Sequence, residues 1–280
     1  MAYQIQYVDV FGSEGFSGNA LAVVTADEAM NTECMQRIAR WLNLAETTFL
    51  LPPSDPEADY QVRIFTCERE LPFAGHPTLG SCQAWLASGH TPREHGVIIQ
   101  QSAIGLVAIR QISDMLFFAA PPLLRSGAPS EEERQTAADF LDIPADSIVE
   151  SQWVDNGPGW LGIRLRSAEA VLSLTPKAGW ETPIKIGVFG PYPPDSPAAF
   201  EVRAFIKEKS GGVMEDPVTG SLNASLGQWI FSAGMASHDY IATQGAALGR
   251  KGRIVVQQDD AGQVWVGGTS RLHIGGTLTL

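Results

Sequence analysis

Hydrophobic and polar positions alternate from Tyr60 to Phe65, and the pattern then changes its period. The alternation, in a run rich in Val, Ile, Tyr and Phe, predicts a half-buried strand. From Pro77 to Leu86 the residues are small or apolar nearly all round, which predicts a buried helix that starts at Pro77 and stops at Gly89. We therefore expect a strand, a loop and a buried helix.

The same pattern returns 140 residues further along the chain. Residues 60–86 align with residues 200–226 without a gap, and nine of the 27 aligned positions are identical. A repeat this long indicates two copies of a domain and not a solenoid of short units. The identical pairs are Val62/Val202, Arg63/Arg203, Phe65/Phe205, Glu68/Glu208, Pro77/Pro217, Gly80/Gly220, Ser81/Ser221, Ala84/Ala224 and Leu86/Leu226. In this alignment His76 corresponds to Asp216.

The positions of His76 and Asp216 suggest a chemical role. Each directly precedes a Pro that is expected to start a buried helix. The first turn of a helix offers unpaired backbone N–H groups and a partial positive charge. Two such helix starts facing each other across a cleft would hold a small carboxylate, and the imidazole and the carboxylate beside them could move protons.

The hydrophobic pattern predicts further elements on both sides of the repeated segments. Helices are expected over residues 32–41, 130–141 and 217–233, with Ser130 capping the second of these. Strands are expected over residues 4–10, 20–24, 45–51, 96–101, 105–112, 115–119, 147–154, 159–166, 171–174, 185–189, 201–205, 254–258, 264–267 and 272–280. The best domain boundary is the segment that follows Pro121 and Pro122.

Composition limits the class of protein. The chain is 44% apolar and 18% charged, so it can bury a large core and is not disordered. A net charge of −12 argues against nucleic acid or an anionic membrane as a partner. The absence of a signal-like N-terminus and of a long apolar stretch predicts a soluble, cytoplasmic protein.

Glu46 and His76 each allow two interpretations from the residues alone. Glu46, which follows Leu44 and Ala45, could end a strand in water or could be a partly desolvated carboxylate suited to general base catalysis. A lone His such as His76 could be structural or could take part in a site. The other histidines form no metal-ligand pattern, so we expect no metal site.

Five ordered blocks carry a resemblance to a known family. They are YVDVFGSEGFSGNALAVV (7–24), NLAETTFL (43–50), RIFTCERELPFAGHPTLG (63–80), MEDPVTGS (214–221) and QGAALGRKGRI (244–254). In these blocks the chain closely resembles the PhzF family of phenazine-biosynthesis-like isomerases, which share the two-lobed fold of diaminopimelate epimerase. The chain departs from the family pattern at Ala20 and Cys67, where Pro is common, and neither change removes an ionisable group.

The resemblance implies an α+β fold of two similar lobes from a duplicated unit. Each lobe is expected to be a curved, mostly antiparallel sheet wrapped around a buried central helix. The first lobe is expected over residues 1–122 and the second over residues 123–269, with residues 270–280 returning to the first. Relatives are usually dimers, so the resemblance allows a homodimer, although no interface follows from the residues.

The resemblance also assigns the site. It implies that Glu46 is the proton-transfer residue and that His76 belongs to the active site, and the repeat adds Asp216 as the third catalytic candidate. The residues expected to bind a small carboxylate substrate are Asn19, Gly75, Thr219, Gly220 and Ser221. The expected function is a cofactor-independent isomerase that moves a proton between carbons by general acid/base catalysis.

Two alternatives stay open. A racemase or epimerase of the same fold uses two thiols, one from each lobe, but Cys34, Cys67 and Cys82 all lie in the first 82 residues. The chain could instead bind a small molecule without turning it over. The absence of G-x-S-x-G and of G-x-G-x-x-G argues against a hydrolase and against a dinucleotide enzyme.

Overall fold

The computed structural model describes residues 1–26 and 30–280, and it is rich in strands with few helices. The described chain divides into two compact units. Met1–Ala119 and Gly267–Leu280 form the first unit, and Ala120–Val266 form the second. The covalent chain therefore passes between the units twice.

The helices and strands have the following bounds. The α-helices are α1 (Thr32–Leu42), α2 (Gly75–Ala87), α3 (Glu131–Leu141), α4 (Ala168–Leu172) and α5 (Gly220–Ser232). Strands of the first unit are β1 (Ala2–Val10), β2 (Asn19–Thr25), β3 (Thr47–Leu51), β4 (Tyr60–Phe65), β5 (Glu70–Leu71), β6 (Val97–Ser102), β7 (Gly105–Ile112) and β8 (Met115–Ala119). Strands of the second unit are β9 (Arg125–Gly127), β10 (Glu150–Asp155), β11 (Leu161–Arg164), β12 (Ile184–Pro191), β13 (Phe200–Lys207), β14 (Met214–Asp216), β15 (Tyr240–Gln244) and β16 (Gly252–Gln258). The last strand, β17 (Val264–Thr279), starts at the end of the second unit and continues into the first. Short 3-10 helices cover Ala145–Ser147 and Ala246–Leu248.

No described helix has the length and apolar character needed to cross a membrane.

The first unit is a closed barrel around a helix. Around the barrel, β1 pairs with β2, β2 with β3, β3 with β4, β4 with β6, β6 with β7, β7 with β8, β8 with β17 and β17 with β1. Helix α2 packs against β1, β2, β3, β4, β6 and β8. Gly80 allows this close approach, because a Cβ there would lie 2.5 Å from Cδ2 of Leu21 and 2.9 Å from Cγ2 of Val10. The apolar character of α2 on nearly all sides follows from its place inside the barrel.

The second unit also packs its sheet against a buried helix. Antiparallel pairs join β9 to β10, β10 to β11, β12 to β13, β13 to β14 and β15 to β16, while β11–β12 and β13–β15 are parallel. Helix α5 contacts β10 and β16, and its Leu222 and Trp229 lie over Gly187 and Gly162 of the sheet. Both α2 and α5 are 13 residues long.

Some predicted elements differ in the structure. The strand expected at residues 171–174 is wrong, because Val171 lies in helix α4, which Ser167 caps by accepting a hydrogen bond from the backbone N–H of Ala170 at 3.2 Å. The strands expected at residues 264–267 and 272–280 are one continuous strand, β17. Strand β15 is an additional element that the pattern did not predict.

Candidate active site

Glu46, His76 and Asn19 meet in the first unit. The imidazole of His76 lies between the other two side chains, with Nε2 3.5 Å from Oε2 of Glu46 and Nδ1 3.3 Å from Nδ2 of Asn19. His76 is the second residue of α2, Asn19 is the first residue of β2, and Glu46 directly precedes β3. Three separate elements of the barrel thus bring predicted site residues into one cluster.

Burial determines the protonation state of His76. Desolvation lowers the pKa of this imidazole to about 3, so the ring is neutral at pH 7. The Nδ2 group of Asn19 can only donate, so Nδ1 of His76 accepts and the ring proton sits on Nε2, towards Glu46. The pair is therefore a carboxylate beside a neutral imidazole, in which the side chain of Glu46 keeps 17% of its surface exposed and that of His76 only 4%.

The loop before β2 positions Asn19. The buried carboxylate of Asp9 accepts hydrogen bonds from the backbone N–H groups of Ser17 at 3.0 Å and Gly18 at 2.8 Å. Gly18 cannot be replaced without movement, because a Cβ at this position would overlap the carbonyl oxygen of Val10. The loop therefore holds Asn19 in one place at the start of its strand.

The turn between α1 and β3 positions Glu46. Asn43 ends α1 in the left-handed conformation, with φ at 55°, which reverses the chain just before Glu46. The next residues, Thr47 and Thr48, are buried, and the hydroxyl of Ser81 donates to that of Thr48 at 2.8 Å. This hydrogen bond ties β3 to α2 and thereby fixes Glu46 close to His76.

Helix α2 begins without a side-chain cap. Its N-cap residue is Ala74, and the predicted binding residue Gly75 is the first residue of the helix. The carbonyl of Ala74 accepts from the hydroxyl of Thr78 at 2.9 Å, and that hydroxyl oxygen accepts from Nε2 of Gln100 at 3.1 Å. Tyr60 in turn donates to Oε1 of Gln100 at 3.1 Å. No side-chain cap competes with a ligand for the N–H groups of the first turn, which suit an anion.

Asp216 and Thr219 lie together in the second unit. Oδ2 of Asp216 accepts a hydrogen bond from the hydroxyl of Thr219 at 2.6 Å. The buried amide of Gln244 donates to the Thr219 hydroxyl at 2.9 Å and to the backbone carbonyl of Asp216 at 3.0 Å. It also accepts from the backbone N–H of Thr219 at 3.0 Å. Gln244 therefore holds the whole segment between β14 and α5.

The other two predicted binding residues open α5. Thr219 is the N-cap residue but makes no cap hydrogen bond, and Gly220 and Ser221 are the first two residues of the helix. The indole N–H of Trp160 donates to Oγ of Ser221 at 3.1 Å, and Nδ2 of Asn156 donates to the Ser221 carbonyl at 2.9 Å. Because an indole N–H only donates, the hydroxyl proton of Ser221 is left to donate to another acceptor.

The expected correspondence between His76 and Asp216 is wrong. Ile64 pairs with Leu71, seven residues later, whereas Ala204 pairs with Asp216, twelve residues later. The hairpin of the second unit is therefore five residues longer, so Asp216 occupies the position of Leu71. The second helical residue, which is His76 in α2, is Ser221 in α5.

The expected helix starts are also wrong. Helix α2 begins at Gly75, so Pro77 is its third residue and not its first. Helix α5 begins at Gly220, so Pro217 lies outside it, in the turn after β14. Pro tolerates both positions because neither requires a helical N–H donor. His76 is consequently a helical residue, whereas Asp216 is the last residue of a strand.

Three site residues were not predicted, namely Gln100, Asn156 and Gln244. Gln244 opens one of the five family blocks, which was the available signal for it. Asn156 lies in the loop predicted between two strands of the second unit, but nothing local shows that its side chain reaches Ser221. These contacts join residues far apart in the chain.

The described residues contain no metal-ligand cluster. Over residues 1–26 and 30–280, no group of three or more His, Cys, Asp or Glu side chains is arranged to hold a metal ion. The three cysteines, Cys34, Cys67 and Cys82, are free thiols in the first unit.

Comparison with known proteins decides the family. The PhzC-PhzF model, described as phenazine biosynthesis-like protein, matches residues 8–276. The chain belongs to the PhzC-PhzF family. It is 34% identical to antisense-enhancing sequence 1 of Schizosaccharomyces pombe over 98% of both chains. It is 29% identical to trans-2,3-dihydro-3-hydroxyanthranilate isomerase of Pseudomonas aeruginosa, over 91% of this chain and 90% of the relative.

Solved structures agree with this assignment. The crystal structure of a PhzF family protein from Enterococcus faecalis covers 100% of both chains, with a TM-score of 0.79 and 26% identity. A hydroxyproline epimerase from Agrobacterium vitis covers 100% of this chain and 93% of its own, with a TM-score of 0.60 and 12% identity. The hydroxyproline epimerase therefore shares the fold of this chain.

Proposed function

We propose that the protein is a cofactor-independent isomerase that moves a proton between two carbons of a small metabolite bearing a carboxylate. The observation that carries the proposal is the Glu46 and His76 pair, in which a partly exposed carboxylate lies 3.5 Å from a buried, neutral imidazole. Family membership and the isomerase name of the Pseudomonas relative support this reaction class.

Glu46 acts as the base in this mechanism. Its carboxylate removes a proton from one carbon of the substrate and returns it to another, so the substrate and product are isomers. A cation beside a carboxylate favours the ionised form and weakens the base, and the neutral ring of His76 avoids this effect. The Nε2–H of His76 points towards the carboxylate of Glu46 and polarises the substrate, while the amide of Asn19 donates to Nδ1 from the other side of the ring.

Backbone N–H groups at a helix start bind the substrate carboxylate in this proposal. The candidate donors are those near Gly75 at the start of α2 and those near Gly220 and Ser221 at the start of α5. Helices α2 and α5 begin without a side-chain cap, whereas α1, α3 and α4 are capped by Asn31, Ser130 and Ser167. A missing cap costs a helix about 1 kcal/mol, which is consistent with donors kept for a ligand.

We also infer that the two units derive from one duplicated strand, hairpin and helix. The identities within the corresponding strands, Val62/Val202, Arg63/Arg203 and Phe65/Phe205, and the equal lengths of α2 and α5 support this origin. In this scheme Asp216 is a group that the second unit adds, because its counterpart Leu71 has no polar side chain. Asp216, held by Thr219, polarises the substrate or relays the proton.

Proton NMR in D2O tests the proposal. Wild type, Glu46→Gln and Glu57→Gln are incubated with a panel of small cyclic and amino-acid carboxylates that includes trans-2,3-dihydro-3-hydroxyanthranilate. Glu57 is an exposed carboxylate in a loop of the same unit, so Glu57→Gln controls for the loss of one negative charge. We expect deuterium to enter a substrate with wild type and with Glu57→Gln, and not with Glu46→Gln.

The position of the deuterium separates the alternatives. Deuterium on a second carbon indicates an isomerase, whereas deuterium on the original carbon with inverted configuration indicates a racemase. Thermal stabilisation by a ligand without any exchange would indicate a binding protein. Exchange by Glu46→Gln at the wild-type rate would show that Glu46 is not the base.

A further inference from the structure

Gln244 lies at the centre of a hydrogen-bond network in the second unit. It is the last residue of β15 and is 1% exposed. Its Nε2 donates to the Thr219 hydroxyl and to the Asp216 carbonyl, at 2.9 and 3.0 Å. Its Oε1 accepts from the backbone N–H of Thr219 and from Nδ2 of Asn223, at 3.0 and 2.9 Å. All these partners lie between the end of β14 and the first turn of α5.

The donor and the acceptor of each hydrogen bond between Gln244, Thr219 and Asp216 can be assigned. Because Nε2 of Gln244 can only donate, the hydroxyl oxygen of Thr219 accepts from it. The hydroxyl proton of Thr219 must then point to its other neighbour, Oδ2 of Asp216, at 2.6 Å. A hydroxyl donating to a carboxylate at this distance forms a short, charge-assisted hydrogen bond.

We propose that Gln244 is a positioning residue for the reaction and acts on Asp216 through Thr219. It fixes the rotation of the Thr219 hydroxyl, and the hydroxyl then holds the Asp216 carboxylate in the orientation that the substrate meets. This inference rests on the proposed function, since it assigns Gln244 to the same reaction. It also explains why Thr219, an N-cap residue, leaves the helix uncapped: its hydroxyl is used by Asp216.

Comparison with the first unit separates the contacts of Gln244 that have a structural role from those that do not. Gln100 lies on β6, which pairs in parallel with β4 as β15 pairs with β13. Gln100 bonds Thr78, the fourth residue of α2, and Gln244 bonds Asn223, the fourth residue of α5. A purely structural role accounts for these two contacts. The two donor contacts of Gln244, to the hydroxyl and the carbonyl of the Asp216 turn, have no such explanation.

Two substitutions remove different links of the network. Gln244→Glu keeps the acceptor for the backbone N–H of Thr219 and removes both donors, and Thr219→Val removes the hydroxyl. We expect each to lower kcat in the exchange assay by roughly 10- to 100-fold, the effect of losing one hydrogen bond to a charged group. KM should stay within about 3-fold, because the substrate-binding N–H groups are unchanged. Thr219→Ser, which keeps the hydroxyl, should restore most of kcat, and the exposed Gln258→Glu should match wild type.

The Asp216→Asn background separates positioning from general stability. If Gln244 and Thr219 act on the carboxylate, Thr219→Val should lower kcat little further once Asp216 is Asn. The proposal is overturned if Thr219→Val keeps the wild-type kcat, if Thr219→Ser is as slow as Thr219→Val, or if the loss is the same on both backgrounds.

A second measurement does not depend on turnover. The Thr219 hydroxyl proton should exchange slowly enough to give an NMR signal in wild type, and this signal should be absent in Gln244→Glu. If wild type exchanges no substrate deuterium but the signal behaves as expected, the proposed function fails while the network stands. A Thr219 hydroxyl signal that persists in Gln244→Glu would contradict the directed network itself.

Discussion

Protonation of His76 should destabilise the folded protein as pH falls. Burial lowers the pKa of this imidazole to about 3 in the folded chain, against about 6.5 for an unperturbed histidine. Between these values the unfolded chain binds a proton at this position and the folded chain does not. The contribution of His76 to the free energy of unfolding is therefore fully present above pH 6.5 and is lost as pH decreases towards 3.

The size of the effect follows from the same two pKa values. Each pH unit within this window changes the free energy of unfolding by about 1.4 kcal/mol, so lowering pH from 7 to 5 should remove roughly 2 kcal/mol. Urea unfolding of wild type and His76→Gln at the two pH values measures this loss. Because Gln does not titrate, the pH dependence of His76→Gln should be smaller by roughly the same 2 kcal/mol.

A matched variant controls for the other histidines. His95 is exposed, so His95→Gln should keep the full pH dependence of wild type. Equal pH dependence in wild type and His76→Gln would refute the buried, neutral state of His76. The imidazole signals of His76 should also show no titration step between pH 5 and 8 in NMR spectra. The rate at which the enzyme exchanges substrate protons for deuterium should likewise show no step in this range that is due to His76.

Three further changes test how the units are built. Gly18→Ala places a methyl group against the Val10 carbonyl and should cost roughly 1–3 kcal/mol of stability in urea unfolding, with a parallel loss of exchange activity. Arg203→Leu leaves the partly buried carboxylate of Glu215, bound to the guanidinium at 2.7 Å, without its cation and should cost about 3–5 kcal/mol. Ser130→Ala removes a capping box and should cost about 1 kcal/mol while leaving the exchange rate unchanged, because the box joins Ser130 only to Glu133, and a changed rate would contradict this reasoning.

Local signals explain which elements the sequence could predict. The alternation in β4 and the amphipathic pattern of α1 lie within a single element, and the structure confirms both over nearly the predicted bounds. Helix α4 is five residues long, too short for a helical period to separate from an apolar strand. Its helical state depends on the Ser167 cap and on Arg203, whose guanidinium donates to the carbonyl of Leu174 at 2.7 Å.

Site residues could be predicted from the sequence only where they lie in a family motif. Glu46, His76 and Asn19 stand in family blocks, and the structure brings them into one cluster. Trp160 stands in no such block, and its contact with Ser221 joins residues 61 positions apart. The geometry of such a contact depends on how two strands and a helix pack, which no local pattern contains.

The length of one hairpin changes the chemistry assigned to the second unit. An alignment without gaps places His76 opposite Asp216. A shift of 140 residues aligns strand β4 with strand β13, and it also produces identical residues within the helices. The five additional hairpin residues place Ser221 at the helical position of His76 instead. The second residue of α2 then has an imidazole, and the second residue of α5 has a hydroxyl. A mechanism that needs the same kind of base in both units has no second base at this position. The second unit therefore has no imidazole at the helical position of His76, and the proposed mechanism accordingly assigns proton removal and return to Glu46 alone.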